Sequence, residues 1–374
     1  MNIYIYNKVR ALLWTMTVIM GLCSMFMVTA CSSDDVEEEG QPGATLHLLS
    51  CSTRAGDETS TFAEGANLWL ALTQGTSDPA ESATGTYIYS TSTTSKWTSD
   101  SPIRVTEVGQ YYLYGVYTKD AATCTIAPST DYETGAILTI SGLPAISKDG
   151  EDPCVVVGVQ GVPNPETAWS VTEGSFGYTG LKKSSQDNVH LLLDHLYASL
   201  SFSFEIDSEY AKLRKVLLKK LEVEPQVTTL DDVKLTVTLL GNNTDTSPIY
   251  RVTAAKEGSG PETTSLVLFE NSDGHDIAQA FNASDHLSGV CFAAFGSLTG
   301  NLKLTSTYDV YDRKDNLIDE NRKSVNTLEV YALFGSEVPP APGIRRPVKL
   351  MVTPTYLYIL SEPDLDNPTI TIGN

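Results

Sequence analysis

The chain has 374 residues, too long for one ordinary domain and suited to two plus a processed N-terminus. Its hydrophobic fraction of 41% excludes a disordered chain, and a charged fraction of only 19%, with many Ser, Thr, Gly and Tyr, favours strands and turns over surface helices. The formal charge of -21 repels phosphates and anionic headgroups, which excludes nucleic acid as a partner of the general protein surface.

The N-terminus reads as an export signal. Lys8 and Arg10 form a basic start, residues 11–30 are apolar throughout, and Val28-Thr29-Ala30-Cys31 follows. A cysteine directly after small residues is the lipobox pattern, in which Cys31 is diacylated and becomes the mature N-terminus. The competing reading is a single transmembrane anchor, since 20 residues can span a bilayer. The run Ser32-Ser33-Asp34-Asp35, with Glu37, Glu38 and Glu39, supplies no cationic flank for one. Residues 32–43 then read as a self-repelling, extended tether ended by Pro42-Gly43.

Beyond residue 44, short apolar or alternating runs are broken by turn residues, the pattern of a β-sandwich. Strands are expected at Ala66–Thr73, Thr86–Ser90, Gly109–Thr118, Ala136–Ser141, Val155–Val159 and His190–Ile206. The polar stretch Thr179–Asn188 is the expected domain boundary. In Leu196–Ile206 (LYASLSFSFEI), Leu200, Phe202, Phe204 and Ile206 alternate with serines and Glu205, a strand with one wet face. One helical turn near Ser208–Ala211 is expected to lead into another strand. Strands continue at Val233–Leu240, Ser265–Phe269, Gly289–Phe295, Leu302–Val310 and Thr327–Tyr331. The proline-rich Val338–Arg346 reads as an extended linker. In Pro347–Leu360, Val348, Leu350 and Val352 alternate, then Tyr356, Tyr358 and Leu360 do so after a proline. A strand at that position either closes its own sheet or lies in the groove of another subunit.

The residues give no catalytic signature. His47, His190, His195, His275 and His286 form no HExxH or HxH, and there is no GxSxG elbow or phosphate-binding glycine loop. His190 and His195, flanking Asp194, read as structural histidines, and Asp273-Gly274-His275-Asp276 reads as a turn. The six cysteines (Cys23, Cys31, Cys51, Cys124, Cys154 and Cys291) form no CxxC or zinc spacing. Cys124 and Cys154 either pair or are small buried hydrophobes. A carboxylate pair for glycoside hydrolysis is not decided by spacing, although the chain lacks a barrel-like βα alternation. The acidic run Asp315–Glu320 is a wet loop or, less simply, a calcium loop without an EF-hand pattern. Trp69, Trp97 and Trp169 with Tyr111, Tyr112 and Tyr114 read as core, with a sugar-stacking surface as the alternative.

Three features together resemble the fimbrillin family of pilus-forming lipoproteins from Bacteroidota: an acidic tether followed by Thr53-Arg54-Ala55, the run Asp194–Asp207 leading into Glu209–Val216, and the ending Val352–Asn374. The resemblance implies an all-β chain with two transthyretin-like β-sandwich domains in series. It also implies cleavage between Arg54 and Ala55 by an arginine-specific protease, which removes the lipid and a first strand containing Leu46–Leu49. The groove left behind would accept a neighbour's strand, here within residues 347–374, joining fimbrial subunits head to tail. The expected organisation is a signal peptide at 1–30, a tether and removable strand at 31–54, and sandwich domains at 55–187 and 188–374. The expected protein is a stalk or tip subunit serving adhesion to an unnamed receptor, lipid-anchored in the outer membrane before processing, with no enzymatic activity, cofactor or metal. The alternatives are a monomeric glycan-binding lipoprotein and a hydrolase.

Overall fold

The computed structural model describes residues 44–53, 62–75, 82–105, 107–119, 123–129, 135–162, 170–180, 186–226, 232–240, 249–257, 265–282, 285–293, 301–334 and 341–353. Internal contacts divide the chain into two units, Met1–Pro42 and Gly43–Asn374, and every described residue belongs to the second. The signal peptide, Cys31, the tether, Arg54, Ala55, Trp169, Tyr356, Tyr358 and Leu360 lie outside the described residues.

The described chain is all-β, as its composition requires. The first strands are β1 (Ala44–Thr53), β2 (Asn67–Gln74), β3 (Ser82–Tyr89), β4 (Trp97–Thr98), β5 (Arg104–Val105), β6 (Gly109–Thr118) and β7 (Thr123–Pro128). Then come β8 (Ala136–Leu143), β9 (Ile146–Lys148), β10 (Cys154–Gly161), β11 (Gly177–Gly180), β12 (Asp187–His195) and β13 (Ala198–Ile206). The remainder are β14 (Lys215–Pro225), β15 (Asp232–Leu239), β16 (Tyr250–Glu257), β17 (Leu266–Asp276), β18 (Val290–Phe292), β19 (Leu302–Tyr311), β20 (Leu317–Leu328) and β21 (Arg345–Val352).

The largest sheet runs β4-β3-β2-β6-β10-β12-β1-β5, with β11 paired to β6. Its strands alternate between two cores, as the period of two demands. Leu113 and Tyr117 of β6, with Leu68, Leu70 and Leu72 of β2, fill one. Tyr114 and Val116 of β6, with Val155 and Val157 of β10, enter the other. Burial on both faces explains why these strands read as nearly continuous apolar runs. Both ends of the sheet meet in the first core, where Trp97 of β4 and Val105 of β5 join Leu46 of β1. The sheet therefore curls round that core until its edges approach. One side chain seals them: the Tyr87 hydroxyl of β3 donates to the Leu46 carbonyl (2.9 Å) and accepts from the Ile103 N–H (3.2 Å). Burial pushes the phenol up to about 12, against the Ile103 N–H, so it remains a donor at neutral pH.

The second core lies between the outer face of that sheet and a four-stranded sheet, β16-β15-β8-β7. Val233, Leu235, Val237 and Leu239 of β15 alternate into it. A third core fills a second sandwich, between the sheets β21-β13-β18-β9 and β17-β14-β19-β20.

The expected passage between halves at 187/188 falls within hydrogen-bonded structure. β12 begins at Asp187 and pairs with both β1 and β10, so it belongs to the first sheet. His190–Ile206, expected as one strand, is two: the chain leaves the first sheet at His195 and enters the second sandwich at Ala198. The halves also exchange strands. The hairpin β15–β16 pairs through β8 into the first sandwich, and β9 pairs with β18 in the second.

Other local readings fare unevenly. The helix Ser208–Leu213 is present, capped by Asp207, whose carboxylate accepts from the Glu209 and Tyr210 N–H groups at 3.1 and 2.9 Å. Thr327–Tyr331 is not a strand: β20 ends at Leu328 and a helical turn occupies Val330–Leu333. The acidic run from Asp315 is a tight turn leading into β20. The carboxylate there that accepts backbone N–H groups is that of Asp312, from Lys314 (2.7 Å) and Asn316 (2.9 Å). The turn at Asp273–Asp276 is a bulge within β17: Leu218 faces His275 while Lys220 faces Glu270, and Gly274 takes φ 76°. His275 folds back on Asp285 at 3.1 Å.

Replacing Tyr87 by Phe leaves the Leu46 carbonyl and the Ile103 N–H buried without their shared partner. Urea denaturation should show a loss of about 1–3 kcal/mol with an unchanged slope. The bond from His275, followed by that from Asn271, holds the Asp285 carboxyl below its ordinary 3.8. The stability it adds is therefore complete above that value and lost as pH falls through the lowered one. The melting temperature of Asp285→Asn should lie below that of the parent at pH 7 and converge with it in strong acid.

Candidate functional site

The described parts of the two segments singled out for exchange are both strands of this copy, held in different ways. β1 runs parallel to β12 from Leu46↔Asp187 to Thr53↔Leu193, with a bulge between Leu48 and Ser50. On its other side, among the described residues, β5 pairs with Ala44 and Thr45, and the Leu46 N–H donates to the Ile103 carbonyl at 2.8 Å. Its alternate side chains Ala44, Leu46 and Leu48 are 1%, 1% and 3% exposed. Two polar contacts fasten its other face to β12: His47 Nδ1 lies 3.0 Å from Asn188 Oδ1, and Ser50 Oγ lies 2.6 Å from His190 Nδ1. Burial lowers His190, which keeps that imidazole neutral.

β21 runs parallel to β13 in eight pairs, from Ser199↔Arg345 to Ile206↔Val352, at the edge of its sheet. Pro347 opposite Ser201 suits only such an edge. Val348 is 9% exposed, and Leu350 and Val352 are only partly buried against the third core. Arg345 and Arg346, expected in the linker, already belong to the ladder. Lys349 bridges to Glu205 at 2.7 Å, but the two side chains are 64% and 48% exposed and the pair contributes little.

The contrast sets an energy scale. Two leucines of β1 are fully buried, at about 1.5–3 kcal/mol each. Against a total stability of about 5–15 kcal/mol, a sheet missing β1 is severely weakened. β21 offers one comparably buried side chain. Arg54, the residue matching the expected cut, immediately follows the last residue of β1, Thr53.

The aromatic group divides clearly. Trp97, Tyr111 and Tyr114 are 4%, 2% and 0% exposed, which commits them to the core rather than to a sugar. Trp69 and Tyr112 are half-buried. Cys51, Cys124, Cys154 and Cys291 are free thiols, so Cys124 and Cys154 do not pair. A grouping that sequence reasoning missed involves Asp152, Cys154 and His195. His195 Nδ1 lies 2.7 Å from Asp152 Oδ2 and 3.4 Å from Cys154 Sγ. A nucleophilic relay needs the base to use one ring nitrogen for the nucleophile and the other for the carboxylate. Here both partners face Nδ1, so the arrangement is not a relay. Burial pushes the Cys154 thiol up to about 11. The neighbouring Cys154 sulfur and the Asp152 carboxylate push His195 upward against burial. The only sequence trace of this group was a DxC run and a histidine 41 residues away.

No family model matches the chain, and no curated protein does. Among solved structures, a candidate cell adhesion protein of Bacteroides ovatus is 12% identical, over 83% of this chain and 93% of its own, with a TM-score of 0.35. A candidate cell adhesion protein of Bacteroides fragilis is 9% identical over 85% and 88%, with a TM-score of 0.32. The major pilin of Streptococcus pyogenes is 10% identical over 83% and 98%, with a TM-score of 0.22. Similarity this distant decides nothing about function, which rests on the strands themselves.

Truncating the two strands should expose their difference. Leu46→Ala should cost about 2–5 kcal/mol in urea denaturation, and Leu350→Ala less than about 2 kcal/mol, because its side chain is only partly removed from water.

Proposed function

We propose that the chain is a structural subunit of a cell-surface fimbria that serves adhesion and assembles by exchange of strands. The observation that carries this reading is the asymmetry between β1 and β21: one deeply buried strand ending a residue before an arginine, and one shallow edge strand near the chain end. The chain is exported, acylated on Cys31 and tethered to the outer membrane by residues 32–43. An arginine-specific protease cuts between Arg54 and Ala55, releasing the lipid and permitting β1 to leave.

Departure of β1 bares the edge of β12 and the pocket that Leu46 and Leu48 fill, both unfavourable in water. A strand from a second copy restores the ladder and buries alternate side chains at about 25 cal/mol per Å² of apolar surface. In this reading the lent segment lies within residues 347–374. Val348, Leu350 and Val352 are stored on their own sheet until then, and Tyr356, Tyr358 and Leu360 extend the alternation. Such a contact is head-to-tail and generates open filaments rather than closed rings. Other subunits, the protease and a surface receptor are the partners this implies.

Treating the purified chain with an arginine-specific protease should yield a ladder of oligomers on a native gel. Arg54→Ala should abolish the ladder, and so should deletion of residues 345–374. A ladder from the deletion variant would refute the C-terminal donor, and a ladder from Arg54→Ala would refute the processing step.

A further inference from the structure

Asp152, Cys154 and His195 meet at the end of the β10–β12 ladder, where Cys154 stands directly opposite His195. Cross-strand partners present their side chains on one face, so thiol and imidazole converge by virtue of the register. Asp152 reaches them from the connection before β10, which is fixed by the Glu151 N–H to Lys148 carbonyl bond (3.0 Å) and the Leu196 N–H to Pro153 carbonyl bond (2.8 Å). One potential ligand atom from each of the three residues lies within 4.8 Å of the other two.

The Asp152 side chain is 1% exposed, and its second oxygen, Oδ1, accepts no well-formed hydrogen bond, the weakly donating Cys291 thiol being the other group beside the carboxylate. A buried carboxylate oxygen without a donor is costly, by about 1–3 kcal/mol, and structures seldom retain one without a reason. The His195 side chain, 18% exposed, leaves a path to solvent.

We infer that these three residues form a binding site for a divalent zinc-class ion, with a water as fourth ligand. Metal–nitrogen and metal–sulfur bonds of about 2.0 and 2.3 Å at a tetrahedral angle place N and S about 3.5 Å apart. Nδ1 and Sγ already lie 3.4 Å apart. The Asp152 oxygen, at 2.7 Å from Nδ1, needs to withdraw by about 0.7 Å as the hydrogen bond gives way to coordination. A thiolate, an imidazole and one carboxylate favour zinc over calcium or magnesium, which require oxygen shells. The site would staple β10 to β12, the strand on which β1 lies, and so stiffen one wall of the groove without taking part in exchange.

Metal-free full-length chain titrated with Co²⁺ should bind one equivalent with the near-ultraviolet charge-transfer absorption of a thiolate ligand, displaced by one equivalent of Zn²⁺. Cys154→Ser and Asp152→Asn should each weaken binding by at least about tenfold, and Cys124→Ser should not. X-ray absorption of the zinc-loaded parent chain should find one sulfur and one imidazole, a measurement that needs no variant to fold. Absence of binding, a shell without sulfur, or a thiolate band that survives in Cys154→Ser would overturn the assignment.

Discussion

The arrangement of the first sandwich depends on closing a sheet whose two ends come from distant parts of its own order. β1 is the strand that makes the closure possible. It lies between β12 and the two-residue β5, and its carbonyl at Leu46 receives the Tyr87 hydroxyl from the far side of the sheet. The core inside is lined from both edges, so its burial depends on β1 staying in place.

The second sandwich is built on different terms. Its edge strand β21 contributes apolar side chains that are only partly withdrawn from water. The two parallel pairings, β1 on β12 and β21 on β13, flank a single passage of chain between His195 and Ala198. The deeply buried strand β1 and the shallow edge strand β21 thus both pair with the chain on either side of this one passage. The halves also interlock, through β15–β16 in one direction and β9 in the other.

Buried polar groups cluster where the halves meet. Asp194 accepts from Tyr250 at 3.0 Å, Tyr197 donates to the Pro144 carbonyl at 2.7 Å, and the Cys291 thiol reaches Asp149 at 3.2 Å. Arg345 of β21 also bridges to Asp149, at 2.8 Å. Apolar cores fill whatever volume they are given, whereas polar groups in low dielectric accept few geometries. A junction of this kind fixes the relation of the two sandwiches more narrowly than hydrophobic burial alone.

The strands were legible wherever burial wrote itself into local pattern. Gly109–Thr118 was read to its ends because aromatic and β-branched residues fill it, and β13 followed from its alternation, whereas the helical turn after Ser208 was expected without its Asp207 cap. β20 escaped notice because, exposed at an edge, its sequence LIDENRKSVNTL carries no apolar period; its place is decided by hydrogen bonds to β19. The joint between the halves was misplaced for a related reason: a continuous apolar run from His190 to Ile206 says that both segments are buried, but not that they are buried in different cores. Likewise Cys154, His195 and Asp152 are ordinary letters apart, and only the β10–β12 register sets them within bonding distance. By itself the sequence determined that the chain is a β protein with an arginine after its first strand, since composition and period depend on neighbours along the chain. Which strand lies deep, which lies shallow and which side chains meet were decided by tertiary structure, because those depend on residues that pairing alone brings together.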